Sequence, residues 1–376
     1  MTWITSTRSA DKSHRRPVRA AAGVIASLAV AGAMALTATP AAADVVVPPA
    51  NGTVGVGAPA TSFPEAFANG LLNPNAAPVG ANDWGCKPSA AHPRPVVLAH
   101  GTWENAYNNW SGVAPALAAE GYCVFAINYG QSDLLQKGGL GTIIPGVYGV
   151  KPIEESAQQL AAFVDAVLAG TGASKVDIVG HSQGGLMARQ YLKFEGGADK
   201  VQNLVTLGAT NHGTTLLGIG ALNRFIGGLG LNLDPVLDYL VGVSGIQQVY
   251  DSPLLKRLNA EGDTIAGIDY TIIGTMFDEV TTPWESTFLN PYGPGNVRNV
   301  TLQDGCPVDV SDHLSITYSP RAIDWIKHAL DPAGFPESSI VCAGNAPIGG
   351  RSDGGPGGTG SLGSGSSGSA AGSSGS

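Results

Sequence analysis

Gly180, His181, Ser182, Gln183 and Gly184 set a serine between two glycines, each two positions away, and Gly185 follows. A serine hydroxyl becomes a useful nucleophile when a tight turn holds it clear of its neighbours and a base can take its proton. The G-x-S-x-G pattern has that meaning where a strand enters it and a helix leaves it. Both flanks comply: Lys175 to Val179 is an apolar, β-branched run, and Gly185 to Phe194 has helical spacing. An ordinary glycine-rich loop could carry the same five letters, but these flanks predict a strand-to-helix elbow with Ser182 at its tip. Such a serine attacks acyl carbonyls. An imidazole takes its proton, and a carboxylate fixes the tautomer of that imidazole.

With this elbow the partners come later in the chain, acid first and histidine second, each on the loop after a late strand. The strand ending at Ile273 leads to Asp278, and the strand ending near Leu302 leads to His313. Among the other histidines, His328 falls inside the last helix and His181 points away from its neighbour's hydroxyl. His100 and His212 precede the expected acid. His313 is therefore the predicted base. The acid is less constrained by position, because Glu279 adjoins Asp278, and Asp309 and Asp312 lie close to His313 as candidate turn formers.

The elements that must hold these residues alternate. Strands are predicted over 95–99, 123–127, 175–179, 201–207, 270–273 and 297–302, and helices over 112–120, 153–168, 185–194 and 320–330. In 153–168 the residues Ile153, Ala157, Leu160, Ala161, Val164, Val167 and Leu168 share one face. Strand and helix in turn predict an α/β fold, a mostly parallel sheet with helices on both faces, whose chemistry lies at the carboxyl ends of the strands. Residues 44–95, rich in Pro, Gly, Ala and Asn, read as an irregular leader packed on the catalytic domain, 96–342. An apolar insertion at about 214–262, interrupted by Gly and Pro235, has the place of a cap. Residues 343–376 are rich in Gly and Ser and read as a disordered tail.

Residues 1–43 have the order of an export signal: Arg8, Lys12, Arg15, Arg16 and Arg19, an apolar run from Ala20 to Leu36, then Ala41 to Ala43. Its removal takes five basic residues and Asp11, and the formal net charge moves from −9 to −13. That sign disfavours nucleic acid and anionic membranes as partners. The mature chain is expected to be secreted and monomeric, with no stable membrane span. Four cysteines in an exported chain predict disulfides. Three pairings are possible, and the local ones, Cys86 with Cys123 and Cys306 with Cys342, are preferred. No H-E-x-x-H or clustered ligand spacing suggests a metal, and no cofactor is expected.

Ser182 with its flanks, His100-Gly101 after an early strand, the run Thr275 to Pro283, and Asp312-His313 ahead of a final helix together resemble the secreted bacterial triacylglycerol lipases of the class 2 lipase family. The likeness runs over roughly residues 65–330. It implies the α/β-hydrolase fold, an apolar cap, and cleavage of acylglycerol and simpler esters at an oil–water interface through an acyl-serine. It selects Asp278 as the acid, and it assigns the oxyanion hole to the backbone N–H groups of Thr102 and Gln183. The same residues would suit a short-chain carboxylesterase or polyester hydrolase, an extracellular acyltransferase, or a silent hydrolase-like binding protein.

Overall fold

The structure, a computed structural model, describes residues 53, 55–215, 218 and 237–348. The expected signal, much of the apolar insertion and the tail from 349 onward lie outside the described residues. Six strands form one sheet: β1 (Val96–Ala99), β2 (Val124–Ile127), β3 (Val176–His181), β4 (Val201–Leu207), β5 (Asp269–Gly274) and β6 (Asn296–Thr301). Their order is β2-β1-β3-β4-β5-β6, and every neighbouring pair is parallel. The helices are α1 (Phe63–Leu72), α2 (Ala106–Trp110), α3 (Val113–Ala119), α4 (Ile153–Thr171), α5 (Gln183–Phe194), α6 (Leu237–Gln247), α7 (Pro253–Asn259) and α8 (Pro320–Leu330).

The strands are apolar on both faces because both faces are covered. Val97, Ile178, Leu204 and Ile272 join a core with α4, α5 and α7. Their neighbours Val96, Leu98, Val179, Val205 and Ile273 join another with α2, α3 and α8. Helix α4 shows how sequence stops an element: Glu154 and Glu155 occupy its first turn, and Gly172 follows it at φ 77° with its N–H on Leu168 O. From β1 the chain moves outward to β2 and then returns to place β3 on the other side of β1. That reversal opens a crevice at the carboxyl ends of β1 and β3, where an open parallel sheet carries its chemistry.

The leader contains more order than its composition predicts. Phe63 and Phe67 of α1 are buried in a third cluster with Trp103, Tyr107, Val280 and Leu314. Cys86 is bonded to Cys123 and Cys306 to Cys342, with Cα separations of 5.8 and 5.2 Å. The second bridge closes on the loop that leads to His313. At the start of the expected tail, residues 343–348 lie against that loop: Asn345 Nδ2 donates to Ser311 Oγ and Ser315 O, both at 2.9 Å. Among the described residues no helix is long and apolar enough to cross a membrane.

Candidate active site

Strand β3 ends at His181 and α5 begins at Gln183, which leaves Ser182 alone in the turn at φ 52° and ψ −125°. A left-handed φ on a residue with a side chain costs about 1–3 kcal/mol, and it persists only where its surroundings enforce it. Here they do. A Cβ on Gly180 would stand 2.6 Å from Gly185 N, one on Gly184 would overlap the Ala99 carbonyl, and one on Gly185 would stand 2.7 Å from Ala209 Cβ. The glycines let β1, β4 and the start of α5 close on the turn. Ser182 N–H donates to Leu207 O at 2.9 Å, and the side chain makes no capping bond to α5.

On the loop after β6, His313 is completely buried and its Nδ1 lies 2.9 Å from both Oδ1 and Oδ2 of Asp278, on the loop after β5. Asp278 is held in turn: Oδ1 accepts the N–H groups of Val280 and Thr281 at 3.0 and 2.7 Å. The two loops are joined by Thr275 Oγ1 donating to Ser311 O at 2.6 Å. Nε2 of His313 is buried with no hydrogen-bond partner among the described residues. Burial opposes a charge on this ring, but the Asp278 carboxylate and its hydrogen bond outweigh burial and raise the imidazole to about 9. The rings of His181 and His313 are 4.9 Å apart, and Ser182 follows His181 in the chain.

The other acids near His313 serve the loop. Asp309 Oδ1 accepts the Ser311 N–H at 3.0 Å and its Oδ2 accepts Ser319 Oγ at 2.6 Å. Asp312 Oδ1 accepts the N–H and the hydroxyl of Ser315 at 2.9 and 2.7 Å. Glu279 reaches the His313 N–H at 3.4 Å. The rival histidines are committed elsewhere. His100 stacks on Tyr129, and burial lowers it to about 4, so it is neutral and donates from Nδ1 to Gly101 O at 2.8 Å. His212 pairs with Asp263, and His328 Nδ1 meets Phe335 O at 2.9 Å.

Thr102 and Gln183 meet across the turn. Gln183 Nε2 donates to Thr102 Oγ1 at 2.7 Å and to Gly149 O at 2.8 Å. Gln248, at the far end of the insertion, donates from Nε2 to the same Oγ1 at 2.9 Å and to Ser244 O at 3.2 Å. The backbone carbonyls fix which end of each amide faces the threonine. Two N–H donors therefore occupy both lone pairs of the Thr102 hydroxyl and turn its own proton away from them. Gln183 N–H is the first of a helix, a position with no acceptor inside the helix. Gln248 gives no signal in the sequence, because its burial depends on a return of the chain from the insertion.

Among the described residues no group of His, Cys, Asp or Glu could hold a metal ion. A cleft of about 520 Å³ opens at the amino ends of β4, β5 and β6, the rim opposite Ser182. Its Arg94 and Arg298 are paired with Asp177 and Glu337, so it offers no unpaired cation.

Residues 93–313 match the family described as lipase (class 2). A triacylglycerol lipase of Pseudarthrobacter phenanthrenivorans is 32% identical over 259 residues, which cover 66% of this chain and 71% of that one. A triacylglycerol lipase of Burkholderia plantarii is 31% identical over 259 residues, covering 66% of this chain and 63% of that one. The crystal structure of Aspergillus fumigatus lipase B superposes with a TM-score of 0.51 at 20% identity, over 70% of this chain and 57% of that one, and shares the α/β-hydrolase fold.

Proposed function

The chain belongs to the class 2 lipases, which are carboxylic ester hydrolases, and from that premise we propose that it is a secreted, monomeric lipase cleaving acylglycerol esters with Ser182, His313 and Asp278. Ser182 Oγ attacks the ester carbonyl while Nε2 of His313 takes its proton, and Asp278 stabilises the imidazolium. The oxyanion is received by the N–H groups of Thr102 and Gln183, joined by the Thr102 hydroxyl whose proton the two glutamine amides leave available. Collapse returns the proton to the departing alcohol. Water then repeats the sequence on the acyl-serine and releases the carboxylic acid.

The observation that carries this reading is the state of His313. One ring nitrogen is held by a carboxylate and the other is buried without a partner among the described residues, while the ring packs on His181, the residue before the strained Ser182. Export is supported by the order of residues 1–43 and by two disulfides. The choice of lipase over short-chain esterase rests on the apolar residues of the insertion. The test is a turnover profile of the wild type across acyl lengths, beside Ser182→Ala and fluorophosphonate labelling. Long-chain turnover that disappears with Ser182 supports the proposal. Turnover of short esters alone would make the protein a carboxylesterase, and an active Ser182→Ala would end the assignment.

A further inference from the structure

Behind the proposed triad stands another acid and imidazole that the reaction does not use. Glu104 is 2% exposed, in the loop between Thr102 and α2. A carboxylate so buried is unfavourable unless its charge is paired. Its Oε2 accepts the Gly101 N–H at 2.8 Å and lies 3.0 Å from Nδ1 of His181. Local sequence directs it there. Asn105 and Asn108 cap α2 reciprocally, each side chain accepting the other's backbone N–H at 2.8 and 2.9 Å, and this fixes the residue just before the cap. Gly101 leaves the room, since a Cβ there would overlap the Glu104 carboxylate and stand 3.1 Å from Ser182 Cβ.

The proton positions on His181 follow from its neighbours. Nε2 lies 2.8 Å from the backbone carbonyl of His313, and a carbonyl only accepts, so Nε2 carries a proton. Nδ1 lies between Glu104 Oε2 at 3.0 Å and the Asn109 amide, whose Nδ2 is 2.9 Å away. The result is an unbroken chain: Gly101 N–H, Glu104, His181, His313 C=O. One end adjoins Thr102 and the other is the base itself, while Ser182 follows His181 directly.

We propose that the Glu104–His181 contact is a positioning device that sets the separation between the oxyanion donors and the base, an inference that rests on the triad reading above. The two ends belong to loops after β1 and β6, which are not neighbours in the sheet. Without the pair each loop can still form, but their relative placement loosens. Loss of alignment on the scale of 1 Å costs on the order of 100-fold in rate while leaving remote binding contacts intact.

The experiment is Glu104→Gln, which keeps an acceptor for Gly101 N–H and removes the carboxyl facing Nδ1. With a short-chain p-nitrophenyl ester and rates normalised to fluorophosphonate-titrated sites, kcat is expected to fall about 10- to 100-fold, with KM within about twofold. Fluorophosphonate labelling should slow by a similar factor. A wild-type kcat per titrated site, even with a lower melting temperature, would overturn the proposal and leave the triad standing. An active Ser182→Ala would instead remove the triad on which it rests. Nitrogen-15 NMR of the His181 ring in the wild-type protein decides independently of whether the variant folds: a hydrogen-bonded Nδ1 is expected, and an Nδ1 free of any hydrogen bond would overturn the contact.

Discussion

His313 with Asp278 and His212 with Asp263 are built from the same two groups at nearly the same distance, 2.9 Å in one and 3.1 to 3.2 Å in the other. Their surroundings separate them. The second ring nitrogen of His313 is buried and unpartnered among the described residues, whereas Nδ1 of His212 faces Ser286 O at 3.2 Å. Asp263 also accepts the Asn290 N–H at 2.7 Å and stands 3.5 Å from Nη2 of Arg189, a buried guanidinium from α5. A general base must offer a lone pair to the nucleophile. His212, with an acceptor at each nitrogen, has none to offer and instead fastens the loop after β4 to the segments that carry Asp263 and Ser286. An acid beside an imidazole is thus a structural fitting by default, and a second ring nitrogen left without an acceptor among the described residues makes it a catalytic candidate.

The comparison can be broken most directly by removing the imidazoles. His313→Ala and Ser182→Ala are each expected to lower kcat by about 10⁴-fold or more in folded protein, whereas His212→Gln should leave kcat within about threefold. Active-site titration and circular dichroism on the same samples check both halves. Comparable losses in kcat from His212→Gln and His313→Ala would erase the distinction.

Removing the acids sharpens it. Asp278→Asn is expected to lower kcat by about 10³- to 10⁴-fold and to move the rising limb of the pH–rate profile to lower pH. In the wild type His313 is raised to about 9, and only the neutral ring accepts a proton, so kcat/KM should climb as pH rises into that range. Asp263→Asn should act on stability. Burial opposes the Asp263 charge, but the His212 hydrogen bond, the Asn290 N–H and Arg189 prevail and hold it at about 2. A depressed folded pKa gives stability above the unfolded carboxylate range that is lost as pH falls through the folded value. The variant should therefore be less stable at neutral pH by on the order of 2 kcal/mol, with the gap closing between about pH 4 and pH 2. Denaturant titrations at several pH values measure this.

The elbow is legible in the sequence because its determinants are local. Glycines around Ser182, a β-branched run before them and a helical period after them act over fewer than about twenty residues. Helix α1 is hidden for the opposite reason: Phe63 and Phe67 find Trp103 and Tyr107 only after the leader folds back, so its Pro- and Asn-rich surroundings read as irregular. The candidate acids near His313 could not be separated by position, since the serines that occupy Asp309 and Asp312 reveal themselves only as contacts. Glu104 is the strongest case. Nothing local in the sequence marks it, because the partner that allows its burial is 77 residues away.

The smallest expected effect concerns Glu279, the acid beside Asp278 in sequence. Burial raises its carboxyl to about 7, the charges of Asp312 and Asp278 add to the rise, and His313 opposes it. A folded value above the unfolded one contributes stability that is complete below about pH 4.3 and is lost as pH rises through about 7. Wild-type stability should accordingly fall across that window from this group. Glu279→Gln keeps an acceptor for the His313 N–H and should flatten the decline. It also removes a negative charge that helps raise His313, so the activity limb should move down by less than about one pH unit. A variant whose stability declines in parallel with the wild type would show that Glu279 is ionised throughout that window.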